Sequence, residues 1–244
     1  MLHAVNRKKA RLNAFRGAGQ RVPLEDLVTS TILGPLLFLE QVDAEMALSG
    51  ILSSLGIRRP DWVGPAHLSL WPKRKTIATL RSNYVEPDAE FVDALGNSLV
   101  VEVKWGAKLS EFELAAQWLS LSADARATSR HLLIVLEPYP YQAAIACDRQ
   151  EISKHCGLPW PIQVVSWRRM ADAFREIGHD MRLSSGTRRW AHGVHGFLRR
   201  EDPRSLAGWD GMELIDVPEN SWRYNDGWFG QVADVGPIAW GQTR

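Results

Sequence analysis

Two strand-forming runs hinged on a Gly-Asn pair most constrain what this chain can fold into. Residues 85–94 and 98–105 are rich in β-branched and apolar side chains, and Gly96-Asn97 lies between them. Such a dipeptide accepts positive φ and favours a tight hairpin. With the turn there, residues whose numbers sum to 190–193 face one another, so Asp88 falls opposite residues 102–105. Alternate residues of a strand share a face, so Glu102 and Lys104 project together from a run that also holds Val100, Val101 and Val103. Charged groups in so apolar a strand are costly unless they pair or bind a metal.

The rest of the chain reads as helices and strands around that hairpin. A helix is expected from Pro23, with Glu25 and Asp26 near its positive end and Leu24, Leu27, Val28, Leu36, Leu37, Leu39 and Val42 as its apolar residues. Gly34-Pro35 should bend or break it. A second helix spans about 41–55 and stops at Gly56. Residues 58–72 read as loop and 76–81 as a short strand. After the hairpin, Ser110 caps a helix to about 122, with Glu113 completing the capping box. Strands at 131–136 and 162–165 and helices at 141–155, 168–177 and 185–200 follow. This order predicts an α/β fold with a central mixed sheet flanked by helices. The expected organisation is a basic arm at 1–22, a catalytic domain at 23–200 and an acidic, Trp-rich extension at 201–244.

Charge and cysteine usage narrow the class. Residues 1–21 carry six Lys/Arg and no acid, whereas the segment from 201 carries eight acids and three arginines. A basic arm before a balanced body suits nucleic acid; a solvated tail is the plainer alternative. No apolar run approaches the ~20 residues of a membrane span, and the N-terminus lacks the pattern of a secretory signal. The two cysteines, Cys147 and Cys156, match no zinc or redox spacing. A cytoplasmic protein without membrane contact is the expectation. No Gly-rich phosphate loop or zinc finger is present.

Asp88, Glu102 and Lys104 make chemical sense together. Mg²⁺ takes hard oxygen ligands, commonly one or two carboxylates plus water and phosphate oxygens. Asp88 and Glu102 supply the carboxylates, and the Val103 carbonyl is a candidate third donor. A metal there lowers the pKa of a bound water and offsets charge on a phosphorane. Lys104, a compact point charge, can orient the water or stabilise the phosphate. The alternative is a salt-bridged surface hairpin.

Pro87-Asp88, thirteen intervening residues and then Glu102-Val103-Lys104 resemble the motif of the PD-(D/E)XK nuclease superfamily, over roughly residues 23–137. The resemblance implies a restriction-endonuclease-like fold, dependence on Mg²⁺ or Mn²⁺, and cleavage of DNA phosphodiesters. It also implies an acid from the first helix, for which Glu25 is favoured over Asp26, Glu40 and Glu45; helix-dipole placement is the competing explanation of Glu25. Gln117 is similar to the glutamine of the exonuclease-like subgroup, although Leu121 stands where that subgroup has tyrosine. The segment Glu25-Asp26-Leu27-Val28-Thr29-Ser30-Thr31-Ile32-Leu33-Gly34-Pro35 resembles segments of nucleases in bacterial anti-phage defence. The rival expectation is a non-catalytic nucleic-acid-binding or scaffold protein that keeps the nuclease fold.

Trp71-Pro72-Lys73-Arg74-Lys75 joins an aromatic to three cations. Trp71 is a candidate for stacking on a base, with Lys73, Arg74 and Lys75 on the phosphates; an ordinary exposed turn is the alternative. The aromatic cluster of the C-terminal extension is expected to pack over the domain or to meet a protein partner, and relatives of restriction type are often homodimers.

Overall fold

The computed structural model describes residues 25–76, 80, 84–157 and 159–201, all within the first of the chain's two units, residues 1–207. The expected basic arm and the Trp-rich extension lie outside the described residues.

The fold is α/β, with a five-stranded mixed sheet between two layers of helices. The strands are β1 (His67–Leu70), β4 (Ala89–Val92), β5 (Ser98–Val103), β6 (Arg130–Val135) and β7 (Ile162–Ser166), in spatial order β1-β4-β5-β6-β7. The β1/β4 and β4/β5 pairs are antiparallel, and β5/β6 and β6/β7 are parallel. A separate antiparallel ribbon pairs β2 (Arg74–Lys75) with β3 (Tyr84–Val85). The helices are α1 (Glu25–Ile32), α2 (Gln41–Ser54), α3 (Glu113–Leu119), α4 (Ala123–Thr128), α5 (Gln142–His155), α6 (Trp167–His179) and α7 (Ser185–Glu201). Among the described residues, no helix is long and apolar enough to cross a membrane.

Every residue of β5 is buried, as a central strand covered on both faces requires. Its odd residues Leu99, Val101 and Val103 join a core with α1, α2, α6 and α7. Val100, on the opposite face, joins Leu114 and Trp118 of α3, Leu133 of β6 and Ile145 of α5 in a second core. The connections β5–α3–α4–β6 and β6–α5–β7 therefore place α3 and α5 on the face toward which Glu102 and Lys104 point.

Local signals placed several ends correctly. Gly34–Phe38 forms a 3-10 turn after α1, where Gly34-Pro35 was expected to interrupt the helix. After α2, Gly56 has φ +69, and the amides of Gly56 and Ile57 bond the carbonyls of Ser53 and Leu52 at 2.9 and 2.8 Å. This is a Schellman closure, with Ile57 and Leu52 both buried. The hairpin turn is held by Asp93, whose carboxylate accepts from the amides of Leu95 and Asn97, each at 2.9 Å, and from Asn97 Nδ2 at 2.8 Å. The observed β4/β5 register pairs residues summing to 190, Ala89 with Val101 and Val92 with Ser98.

Other expectations are corrected. Residues 67–70, read as loop, form β1: His67–Leu70 is a short edge strand that gains its place by pairing with β4. The strand expected at 85–94 is two elements, because Pro87 lacks the amide needed for a ladder. The short strand expected at 76–81 occurs earlier, at Arg74–Lys75, and residues 77–79 and 81 lie outside the described set. Helix α3 starts at Glu113, after Phe112 at φ 54. The reciprocal half of the capping box does form, with Ser110 N donating to Glu113 Oε2 at 2.8 Å. The short helix α4, capped by Ser122, was not anticipated. Val42, expected in the core, is exposed.

Candidate metal and phosphate site

Asp88 stands one residue before β4, and continuation of the register sets it opposite Glu102. It is tied across the pair by Val103 N, which donates to Asp88 Oδ2 at 2.7 Å. Lys104 N turns the other way and donates to Ile134 O on β6 at 2.8 Å. Because N–H and C=O of one extended residue leave on the same edge, the Val103 carbonyl faces the β4 side along with Asp88. Asp88, Glu102 and Lys104 are only 9%, 3% and 7% exposed.

The side chains then interlock. Lys104 Nζ lies 2.6 Å from Glu102 Oε1, 3.4 Å from Glu113 Oε1 and 3.9 Å from Glu25 Oε2. The other oxygen of Glu102 accepts from Gln117 Nε2 at 2.7 Å. Glu25 Oε1 accepts from Trp105 N at 2.7 Å and Ala107 N at 3.3 Å, so the start of α1 clamps the chain leaving β5. Glu40 is exposed just before α2, and Glu45 accepts from Gln41 Nε2 at 3.4 Å.

The electrostatics are those of crowded acids. Burial pushes the Asp88 carboxyl well above the usual carboxylate range; Glu102 and Asp26 push the same way, and the Val103 amide and Lys104 only partly offset them. Burial lifts Glu102 to about 7, against the pull of Lys104 and with the help of Glu113. Burial opposes the charge on Lys104, yet Glu102, Glu113 and Glu25 outweigh it and hold the ammonium above its ordinary pKa. Five carboxylates (Glu25, Asp26, Asp88, Glu102 and Glu113) thus act on one another or on Lys104. A divalent cation would relieve that repulsion. Among the described residues, no three His, Cys, Asp or Glu side chains form a cage. The donor set that fits is two carboxylates and a carbonyl, with water completing the shell, which is how Mg²⁺ is commonly held.

The structure thus brings together Asp88, Glu102, Val103, Lys104, Glu25 and Gln117 from the sequence reading. Of the first-helix acids, Asp26 adds to the raised pKa of Asp88, and Glu25, favoured from the sequence, engages backbone amides and Lys104. Glu113 had been assigned only a capping role. Its spacing of four from Gln117 on one helix face was the signal that it reaches the same place.

The basic patch is rearranged. Lys73 and Lys75 are exposed. The Arg74 guanidinium instead pairs with buried Glu90, which also accepts from Ser98 Oγ at 2.6 Å; burial lowers the pKa of Arg74 to about 10. Trp71 is 4% exposed and belongs to the core with Leu70 and Phe91, because its amide bonds Asp88 O at 3.0 Å at the end of the β1/β4 ladder. Its ring is not presented for a base to stack on. No family model, curated protein or solved structure matches this chain.

Proposed function

We propose that the chain is a Mg²⁺- or Mn²⁺-dependent nuclease that hydrolyses DNA phosphodiesters, with a restriction-endonuclease-like fold and a PD-(D/E)XK site. The observation that carries this reading is the placement of Asp88 opposite Glu102, with Lys104 on the same buried face 2.6 Å from Glu102. Asp88, Glu102 and the Val103 carbonyl would hold the ion. When bound, the ion would acidify a water and offset charge on the phosphorane. Lys104, whose charged form is favoured by its carboxylate neighbours, supplies a positive charge to the phosphate oxygens or holds the water by donating to it. Glu113 and Glu25 set the position of that ammonium, and Gln117 fixes one oxygen of Glu102. Lys73 and Lys75 are the exposed cations offered to the nucleic-acid backbone.

The test is cleavage of supercoiled plasmid, linear duplex, single-stranded DNA and RNA, each with Mg²⁺, Mn²⁺ or EDTA, by the wild type and Lys104→Ala. Metal-dependent cutting that the variant loses supports the proposal and names the substrate class. Tight nucleic-acid binding in EDTA, with no cleavage under either metal, would favour a non-catalytic binding or scaffold protein. Reduced phage plating by cells expressing the wild type, and not Lys104→Ala, would extend the reading to anti-phage defence.

A further inference from the structure

Behind Glu102 runs a chain of buried hydrogen bonds that the nuclease chemistry does not by itself require. Trp160 Nε1 lies 3.2 Å from His131 Nδ1. His131 Nε2 lies 3.1 Å from Gln117 Oε1, and Gln117 Nε2 donates to Glu102 Oε2 at 2.7 Å. All four side chains are buried. The order of donors is fixed from the far end. An indole N–H can only donate, so Nδ1 of His131 accepts, and a neutral imidazole then carries its proton on Nε2. That proton goes to the Gln117 carbonyl oxygen, which leaves the Gln117 NH₂ facing Glu102. Reversing the Gln117 amide would set its NH₂ against the imidazole N–H and its oxygen against a carboxylate.

The His131 ring is also held rigidly. It stacks on Trp118 with ring centroids 6.2 Å apart and planes 15° apart, and it meets Trp160 edge-on at 5.7 Å. A lone histidine at the second position of the apolar strand β6 has little reason to be buried there unless its polarity is used. Burial drops its pKa to about 3, so it remains a neutral relay at all working pH values.

We propose that His131, oriented by Trp160, is a positioning residue that locks the Gln117 amide and thereby fixes the Glu102 carboxylate, with Oε2 committed to Gln117 and Oε1 left to Lys104 or a cation. This rests on the reading of Glu102 as a metal ligand. Partners that orient a ligand typically change metal affinity by about 10–100-fold when removed.

Two measurements on the full chain test it. Long-range ¹H–¹⁵N NMR of the metal-free wild type reports the His131 tautomer and should show Nε2–H; Nδ1–H would overturn the relay without any variant. Mn²⁺ titration of wild type, His131→Phe, Gln117→Leu and the double variant reads the coupling. His131→Phe and Gln117→Leu should each weaken Mn²⁺ binding by about 10-fold or more, and the double variant should be no weaker than Gln117→Leu. A merely structural role would give additive losses. If His131→Phe fails to fold, Trp160→Phe replaces it and should weaken Mn²⁺ binding through the same non-additive route. Unchanged affinity in a folded His131 or Trp160 variant overturns the positioning role. A wild type that binds no Mn²⁺ overturns the metal site itself and the role with it, whereas an Nε2–H tautomer with unchanged variant affinity sinks the positioning role alone.

Discussion

Asp88 and Asp93 stand at the two ends of β4, both buried, and their surroundings drive them in opposite directions. Burial opposes the charge of Asp93, but Val63 N at 2.7 Å, the amides of Leu95 and Asn97, and Asn97 Nδ2 all donate to it. Together they lower its pKa. For Asp88 burial is the largest influence and raises its pKa, Glu102 and Asp26 add to it, and only the Val103 amide and the nearby Lys104 oppose them. A carboxylate saturated with donors closes a turn. A carboxylate crowded by other carboxylates is in need of a cation. The difference separates an acid that closes a turn from one that the proposed metal site would use, across a strand of four residues.

The comparison breaks most visibly in activity. Asp88→Asn and Lys104→Ala should each cut metal-dependent cleavage by about 10²–10³-fold, as removal of an electrostatic group from a reacting centre does. Asp93→Asn should leave turnover within a few-fold of wild type, measured on the same duplex. Equal losses at both aspartates would erase the distinction.

Stability should divide the other way. Asp93→Ala strands several buried donors and should cost about 2 kcal/mol in urea denaturation. Asp88→Asn removes a repelled charge, so in EDTA at pH 8 its Tm should equal or exceed that of the wild type.

The pH dependence sharpens the same point. Glu102 titrates near 7 in the folded chain against 4.5 ordinarily, so the folded state binds the proton more tightly than the unfolded one. The metal-free protein should therefore lose stability as pH rises from about 4.5 through about 7. Mn²⁺ affinity should rise across that window as the proton is displaced. Calorimetry of EDTA-treated protein checks this, and Glu102→Gln should flatten the profile.

The smallest effect is expected on the ribbon. Lys73→Ala and Lys75→Ala should each lower the salt slope of DNA binding by about one. Arg74→Ala should change that slope less and lower Tm more, because its guanidinium is committed to Glu90.

Much of the candidate site was legible because its members lie close along the chain. A turn over Asp93–Gly96, just ahead of the expected Gly96-Asn97 centre, sets the hairpin register, and the two-residue strand period then makes Asp88, Glu102 and Lys104 converge. Gln117 follows on the next helix. Where partners are distant in sequence, the reading failed or stayed open. Local pattern says nothing of whether His67–Leu70 has a neighbour to pair with, and β4 supplies one. Trp71 and Arg74 read as a surface grip, yet the β1/β4 ladder buries one and Glu90 captures the other. Glu25 and Asp26 reach different partners, Lys104 and Asp88, because they leave α1 in different directions, which local pattern does not reveal.

The sequence by itself determined the strand period, the turn, the helix ends at Gly34-Pro35 and Gly56, and the set of hard-oxygen donors, because these follow from backbone sterics and residue chemistry within a few positions. The tertiary structure alone decided which acids crowd one another, which arginine is spent on a buried partner, and that Trp160, His131 and Gln117 line up behind Glu102. Desolvation and hydrogen-bond polarity depend on what packs around a group, and packing joins segments that the chain keeps far apart.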